Sequence, residues 1–228
     1  MGSDDDLAFA LSLADDADAI TLARFRAADL HVETKPDLTP VSEADRLVER
    51  TLRERIERER PGEAVLGEEE GGSDASGWIL DPIDGTRNYT RGIPIWATLI
   101  AYAGRVGVAS APALGRRWWA VRGGGAFADG QPIRVSGIDR VEDATLLYAL
   151  DRPLPDRAWD AWHLRGLGDF WAHILVAEGA AEVAVDAPGL AIWDTATVSV
   201  IVEEAGGRFT DHVSSNGLLH DEALRLLR

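Results

Sequence analysis

Apolar positions recur at helical spacing over residues 6–27, where Leu7, Ala10, Leu11, Ala14, Ala17, Ile20 and Ala23 or Arg24 share one face. Asp4, Asp5 and Asp6 suit the start of that helix, because its dipole favours negative charge there. No buried strand precedes them, which argues against an aspartyl-phosphate nucleophile. A rigid loop, Lys35-Pro36-Asp37-Leu38-Thr39-Pro40, leads to Ser42, a residue suited to capping a second helix. Leu47, Val48, Leu52 and Ile56 form the apolar stripe of this helix, and Pro61-Gly62 ends it. Its other face is Arg and Glu at spacings of three and four, the pattern of a solvated surface. Short apolar runs then replace the helical period. Val65-Leu66 and Trp78-Ile79-Leu80 read as strands, and residues 93–102, 106–109, 117–121 and 133–136 as an antiparallel meander. Residues 123–128 fit GxGxx(G/A), but Asp129-Gly130-Gln131-Pro132 leaves no room for a following helix, so a hairpin turn is predicted.

The character of the chain changes around residues 137–143. An N-terminal α+β half (1–140) and a C-terminal α/β half (141–228) are expected. In the second half, 145–150, 183–185 and 208–210 read as strands, while 168–180, 192–204 and 218–228 read as helices. Gly206-Gly207 stops the helix over 192–204, and Asn216-Gly217 marks a turn. Residues 151–165, rich in Pro, Trp and Arg, give no clear pattern. The fold class is α/β (α+β).

Composition narrows the chemistry. With 228 residues the chain can build one large domain or two small ones around a substantial core. No apolar run approaches a membrane span and the acidic start is unlike a signal peptide, so a cytoplasmic protein with no membrane partner is expected. The absence of cysteine excludes disulfides, thiolate metal sites and cysteine nucleophiles. A net charge of −16 argues against nucleic acid as a partner. A phosphate ester remains possible if a divalent ion supplies the local positive charge. Lysine occurs once, at Lys35.

Carboxylates mark the ends of several predicted elements. Asp81 and Asp84 follow the Trp78-Ile79-Leu80 run, Glu68 and Glu69 follow Val65-Leu66-Gly67, Asp45 lies in the first turn of the second helix, and Asp194 lies at the start of the helix over 192–204. Pro82 keeps Asp81 out of the helical region, Gly85 permits a tight turn, and Thr86 and Asn88 can cap a following helix. Two carboxylates held this close repel each other unless protons or a cation intervene. Taken locally, Asp45 and Asp194 also read as helix caps, and the glutamate run as solvated charge. Oxygen donors without His or Cys select a hard ion, for which Mg²⁺ is the natural choice. Two such ions can bridge a phosphate and activate a water, and amides after Gly85-Thr86 would cradle phosphate oxygens. No GxSxG or Walker motif offers a competing chemistry, and the five histidines are scattered.

Gly67-Glu68-Glu69, Asp81-Pro82-Ile83-Asp84-Gly85-Thr86-Arg87-Asn88 and Trp193-Asp194 occur in an order that resembles the inositol monophosphatase superfamily. Arg122, Gly123, Gly125, Ala126 and Phe127, with Glu204-Ala205-Gly206-Gly207, extend the resemblance over nearly the whole chain. Within it, Thr34–Val41, Ser110-Ala111-Pro112-Ala113-Leu114 with Arg117-Trp118-Trp119, Gly168-Asp169-Phe170 and Asn216-Gly217-Leu218-Leu219-His220 resemble the histidinol-phosphate phosphatase branch of actinobacteria. The resemblance implies a layered α-β-α-β-α sandwich of the inositol monophosphatase/fructose-1,6-bisphosphatase type. It also implies two or three Mg²⁺ per site, a small phosphorylated metabolite as substrate, and a homodimer. Glu68, Asp81 and the Ile83 carbonyl would hold the first metal, and Asp81, Asp84 and Asp194 the second. Thr86 and Asp45 would position the attacking water, with Glu69 in support, and the Gly85 and Thr86 amides would bind phosphate. L-Histidinol phosphate is the expected substrate, with Asp169 and Asp186 facing its cationic groups. Inositol-1-phosphate or another small phosphomonoester is the rival expectation, as is a metal-binding relative with weak catalysis. The chain is shorter than is usual for the family, around 151–165 and between 210 and 216. Ala187 stands where relatives carry a substrate-contacting carboxylate, one step from Asp186.

Overall fold

A computed structural model describes residues 3–72, 74–149 and 163–226. Helices α1 (Ser3–Arg24) and α2 (Glu43–Glu59) cover one face of a seven-stranded sheet. That sheet comprises β3 (Val65–Gly67), β4 (Trp78–Asp84), β5 (Ala97–Tyr102), β6 (Val106–Ala111), β7 (Arg116–Val121), β8 (Gly125–Ala128) and β9 (Gln131–Ile133), in that order. Only β3 and β4 run parallel; the rest is the predicted meander. Side-chain alternation divides the sheet between two cores. Ile100, Val106 and Val108 face α1 and α2, while Leu99, Ala109 and Ala111 face the opposite way.

On that opposite face lie α4 (Asp169–Ala177) and α5 (Ile192–Glu204). A helix apolar nearly all round belongs between two layers, and α5 meets strands of the first sheet on one side and of a second sheet on the other. Gly107 makes the approach possible: a Cβ there would sit 2.7 Å from the Thr197 carbonyl oxygen. The second sheet has five strands, ordered β11 (His163–Gly166), β10 (Thr145–Tyr148), β12 (Val183–Val185), β14 (Val213–Ser215) and β13 (Arg208–Thr210). Leu147 and Ala184 pack on α4, whereas Leu146, Val183 and Val185 turn the other way, toward Leu219 and Ala223. Helix α6 (His220–Leu226) closes the last layer. The layers therefore run α-β-α-β-α, as expected, and each sheet draws its strands from one side of residue 140.

Several local expectations are corrected. In α1 the buried face is Phe9, Ala10, Leu13, Ala14, Ala17 and Thr21, rotated from the predicted stripe. Leu47 is exposed, while Val48, Leu52 and Ile56 are buried. The α2 face read as solvated carries a fully buried Glu49. The rigid loop at Lys35–Pro40 connects a hairpin of β1 (Val32–Thr34) and β2 (Pro40–Ser42), two strands that were not predicted. Strand β5 begins at Ala97 rather than at 93. Strand β14 was hidden because Ser214 and Ser215 fill its buried positions and bond to His173 and His220 instead of supplying apolar alternation. The unassigned 151–165 region falls mostly outside the described residues, as does the end of the predicted 145–150 strand.

Candidate active site

Every residue of β4 is buried, and the strand carries Asp81 and Asp84 into the interior. Residues three apart on a regular strand point to opposite faces. Here Asp81 pairs with Leu99 and Asp84 with Ala97, so β4 carries one extra residue across that interval. The resulting bulge re-aims the chain, and both carboxylates reach one side. Pro82 is tolerated in this interior strand because it lies in the bulge. Its carbonyl is satisfied by the Thr98 hydroxyl at 2.8 Å.

Asp194 is the third residue of α5, and its Oδ2 accepts from the Ala191 amide at 2.8 Å. Ala191 rather than Asp194 holds the cap position, and the bond from Asp194 back to its amide completes the first turn and fixes the carboxylate. One oxygen from each of Asp81, Asp84 and Asp194 lies within 4.8 Å of the others. Among the described residues no Lys or Arg pairs with any of the three, and Asp81 Oδ1 is buried without a hydrogen-bond partner. Burial, then the charges of Glu68, Asp84, Asp194 and Asp45, push the Asp81 carboxyl well above the usual range. Asp84 is raised by burial and by Asp169 and Asp194, against the Phe170 amide that donates to its Oδ2 at 2.6 Å. Burial raises Asp194 to about 7 despite the Ala191 amide, with Glu68 adding to the effect. Three mutually repelling carboxylates, one with an orphaned oxygen, fit a divalent cation held by oxygen donors.

Around this cluster the other predicted residues divide. Asp45, third in α2, accepts from both the Ser42 amide and hydroxyl through Oδ2, at 2.9 and 2.6 Å. Its Oδ1 lies 3.2 Å from the Thr86 hydroxyl, so one carboxylate serves both cap and site. Burial raises its pKa, with the charge of Glu68 adding and the Ser42 contacts opposing. Thr86 is not a cap: Gly85, at φ 83°, holds that position without a side-chain bond. The Thr86 hydroxyl instead stands between Asp45 and the Ile83 carbonyl, which it meets at 2.8 Å. Asn88 does not cap either; its side-chain amide donates to the Ile95 carbonyl at 2.9 Å. The Ile83 side chain is buried among Ala44, Tyr89 and Trp96.

Glu68 lies beside the cluster but outside the converging three, with its Oε1 2.8 Å from Lys35 Nζ. Glu69 meets the same Nζ at 2.5 Å; burial raises its carboxyl against the pull of Lys35. Glu49 anchors this turn, accepting from the Glu69 and Glu70 amides at 2.7 and 2.9 Å and from Arg53 Nε at 2.9 Å. Gly67 leaves the space for it, since a Cβ would lie 2.1 Å from Glu49 Oε1.

Asp169 begins α4 with φ 55°, and its Oδ2 approaches Gly85. Burial favours a raised Asp186 carboxyl, but His173 and the amides of Ala187 and Asp169 outweigh it and hold the group below its ordinary value. His173, buried on α4, meets Ser214 Oγ at 2.8 Å through Nδ1, and its Nε2 lies 3.8 Å from Asp186 Oδ2. Sequence reasoning assigned no site role to Lys35, Glu49 or His173, although Lys35 lies in the Thr34–Val41 run of the family resemblance and Glu49 stands four residues before Arg53.

The model of the inositol monophosphatase family matches residues 3–224, and the chain belongs to that family. It is a phosphatase, of a family that acts on small phosphorylated substrates. The chain is 48% identical to the histidinol-phosphatase of Mycobacterium tuberculosis over 257 aligned positions, covering 99% of this chain and 98% of the relative. It is 45% identical to that of Streptomyces coelicolor over 259 positions, covering 98% and 97%. The first alignment exceeds this chain's 228 residues by 29 positions, so at least that many fall opposite gaps in it. Among solved structures, an IMPase from Thermotoga maritima superposes with a TM-score of 0.89 at 29% identity, covering 98% of this chain and 96% of that one. An inositol monophosphatase from Zymomonas mobilis gives 0.84 at 30% identity, covering 100% and 99%.

Proposed function

We propose that the chain hydrolyses L-histidinol phosphate to L-histidinol and phosphate with Mg²⁺ as cofactor. The convergence of Asp81, Asp84 and Asp194, unpaired by any described Lys or Arg, carries the metal part of this reading. The two histidinol-phosphatase relatives support the substrate. Asp81, Asp84 and Asp194 would hold one ion, and Glu68, Asp81 and the Ile83 carbonyl another, in a site of two or three Mg²⁺. When bound, such ions supply a Lewis acid for the phosphoryl oxygens and lower the pKa of water.

The chain's own residues do the rest. The Thr86 hydroxyl, poised between Ile83 O and Asp45 Oδ1, can accept a proton from the attacking water and pass its own toward Asp45. As the first residue of α3 (Thr86–Thr90), Thr86 has an amide with no intrahelical acceptor, and with the Gly85 amide it suits a phosphate oxygen. Glu69, held by Lys35 and the Glu49-anchored turn, supports this wall of the site. Asp186, whose carboxyl lies below its ordinary value despite burial, and Asp169 would supply negative charge for the ammonium and imidazolium of the substrate. A homodimer is proposed on the family resemblance, and a cytoplasmic location is in keeping with a metabolite substrate. No described helix is long and apolar enough to cross a membrane.

Phosphate release from L-histidinol phosphate and from inositol-1-phosphate, each with Mg²⁺ and with chelator, tests the reading. Histidinol phosphate should turn over faster, and only with the metal. Faster turnover of inositol-1-phosphate would overturn the substrate assignment, and undiminished turnover in chelator the metal.

A further inference from the structure

Asp186 follows β12 and extends its pairing with β14 by one residue, since its amide donates to the His212 carbonyl at 2.9 Å. Strand alternation therefore carries it to the side of Ala184, which packs on α4, and away from that of Val183 and Val185. There its charge reaches Asp84 and Asp194, so it stands beside the acidic cluster. Asp186 keeps 12% of its side chain exposed, while His173 behind it keeps 2%. A substrate can thus meet the carboxylate and not the imidazole.

His173 is clamped from the second sheet. Its Nδ1 meets Ser214 Oγ at 2.8 Å, and the Phe209 ring lies against the imidazole at 5.3 Å between centroids. The buried Ser214 hydroxyl can donate to Nδ1, which leaves the ring proton on Nε2. That nitrogen is buried with no hydrogen-bond partner and faces Asp186 Oδ2 at 3.8 Å. A buried donor left unpaired is costly, and contacts of this kind tighten when substrate binds. Asp186 Oδ1 meanwhile takes the Ala187 amide at 2.7 Å. A carboxylate offers about four lone-pair sites, so these contacts leave room for a ligand.

We propose that His173 is a positioning residue for cation recognition: anchored by Ser214, it holds the Asp186 carboxylate toward the substrate's cationic group without touching the substrate. Selectivity for a positively charged phosphomonoester is thereby built partly on β14, behind the site. This rests on the reading of Asp186 as a substrate contact.

Steady-state kinetics with Mg²⁺ on L-histidinol phosphate test it, for the wild type, His173→Asn, His173→Gln and Asp186→Asn. Inositol-1-phosphate, whose alcohol is uncharged, is the comparison, read as KM or as an inhibition constant. Asparagine keeps a partner for Ser214 at the place of Nδ1 but cannot reach Asp186, whereas glutamine puts its amide where Nε2 stands. His173→Asn should raise KM for L-histidinol phosphate about tenfold, with a much smaller fall in kcat and no change in affinity for inositol-1-phosphate. His173→Gln should recover most of that loss. A merely structural imidazole would move both ligands together, so an equal weakening of the two overturns the proposal. An unchanged KM for L-histidinol phosphate in His173→Asn also overturns it, as does a His173→Gln variant no better than His173→Asn. If Asp186→Asn raises that KM and His173→Asn does not, only the positioning role fails. If Asp186→Asn leaves it unchanged, Asp186 is no substrate contact, and the positioning role fails with that reading.

Discussion

Glu49 and Asp81 are both buried carboxylates near the β3–β4 edge, yet their surroundings are opposite in kind. Glu49 receives two backbone amides and the Arg53 guanidinium, so its charge is fully accommodated by the chain. Asp81 has an oxygen with no partner, and its charged neighbours Glu68, Asp84, Asp194 and Asp45 are all acidic. Fifteen or more other Asp and Glu residues make ordinary ion pairs with Arg, so acidity alone marks nothing in this molecule. What separates the site from the scaffold is a charge left for something outside the chain to balance.

The hardest test of this contrast is Asp84→Asn. The substitution keeps an oxygen acceptor for the Phe170 amide while removing one charge from the cluster. Turnover should fall about a thousandfold. In chelator, however, the variant should be more stable than the wild type by about 1–2 kcal/mol, because repulsion is relieved. Near-normal turnover, or a lower melting temperature in chelator, would break the distinction from one side. Glu49→Ala attacks it from the other. Losing a buried, paired carboxylate strands the Glu69 and Glu70 amides and takes one partner from Arg53, which keeps the Val65 and Gly71 carbonyls, so stability should drop by about 3 kcal/mol, or roughly 6–12 °C in Tm. An unchanged Tm would show that Glu49 is no anchor.

The smallest effect concerns a second satisfied group, His220, buried with Thr210 Oγ1 at 2.9 Å and Ser215 Oγ at 2.8 Å on its two ring nitrogens. Burial, then the charge of Arg208, lowers its pKa below 6.5, with Asp221 opposing. The folded state therefore takes up this proton less readily than the unfolded state. Its stabilising contribution is present above pH 6.5 and is lost as the pH falls through the folded value. His220→Gln should melt with a shallower pH dependence than the wild type between about pH 7 and 5. Identical slopes would rule His220 out as the source.

How much of this was readable in advance depends on whether a residue's role is local. The run Trp78-Ile79-Leu80-Asp81 announces a buried strand ending in charge, and α5 was bounded correctly because apolar residues and Gly206-Gly207 delimit it. The α-β-α-β-α layering followed from the family resemblance. The bulge in β4 was not legible, since only the pairing with Leu99 and Ala97 reveals it. Glu49 looks like any other residue of a charged helix face; its burial depends on a glycine eighteen positions later. Asp45 and Asp194 read ambiguously for a sound reason: each accepts from the amide that precedes its helix, while Asp45 also meets Thr86 and Asp194 also converges with Asp81 and Asp84. Lys35 and His173 act through partners far away in sequence, which no local pattern encodes.

Gly107 has no side chain and touches none of the carboxylates, yet it sets the thickness of the layer between β6 and α5. Thr197, whose carbonyl it admits, lies one helical turn after Asp194. Helices are stiff along their axis, so a methyl group at position 107 would act as a shim under one end of a beam, tilting Asp194 relative to the β4 pair. Sheet-to-helix spacing is thus an adjustable dimension of the site. A drift in that spacing would detune the carboxylate triangle while leaving every acid in place.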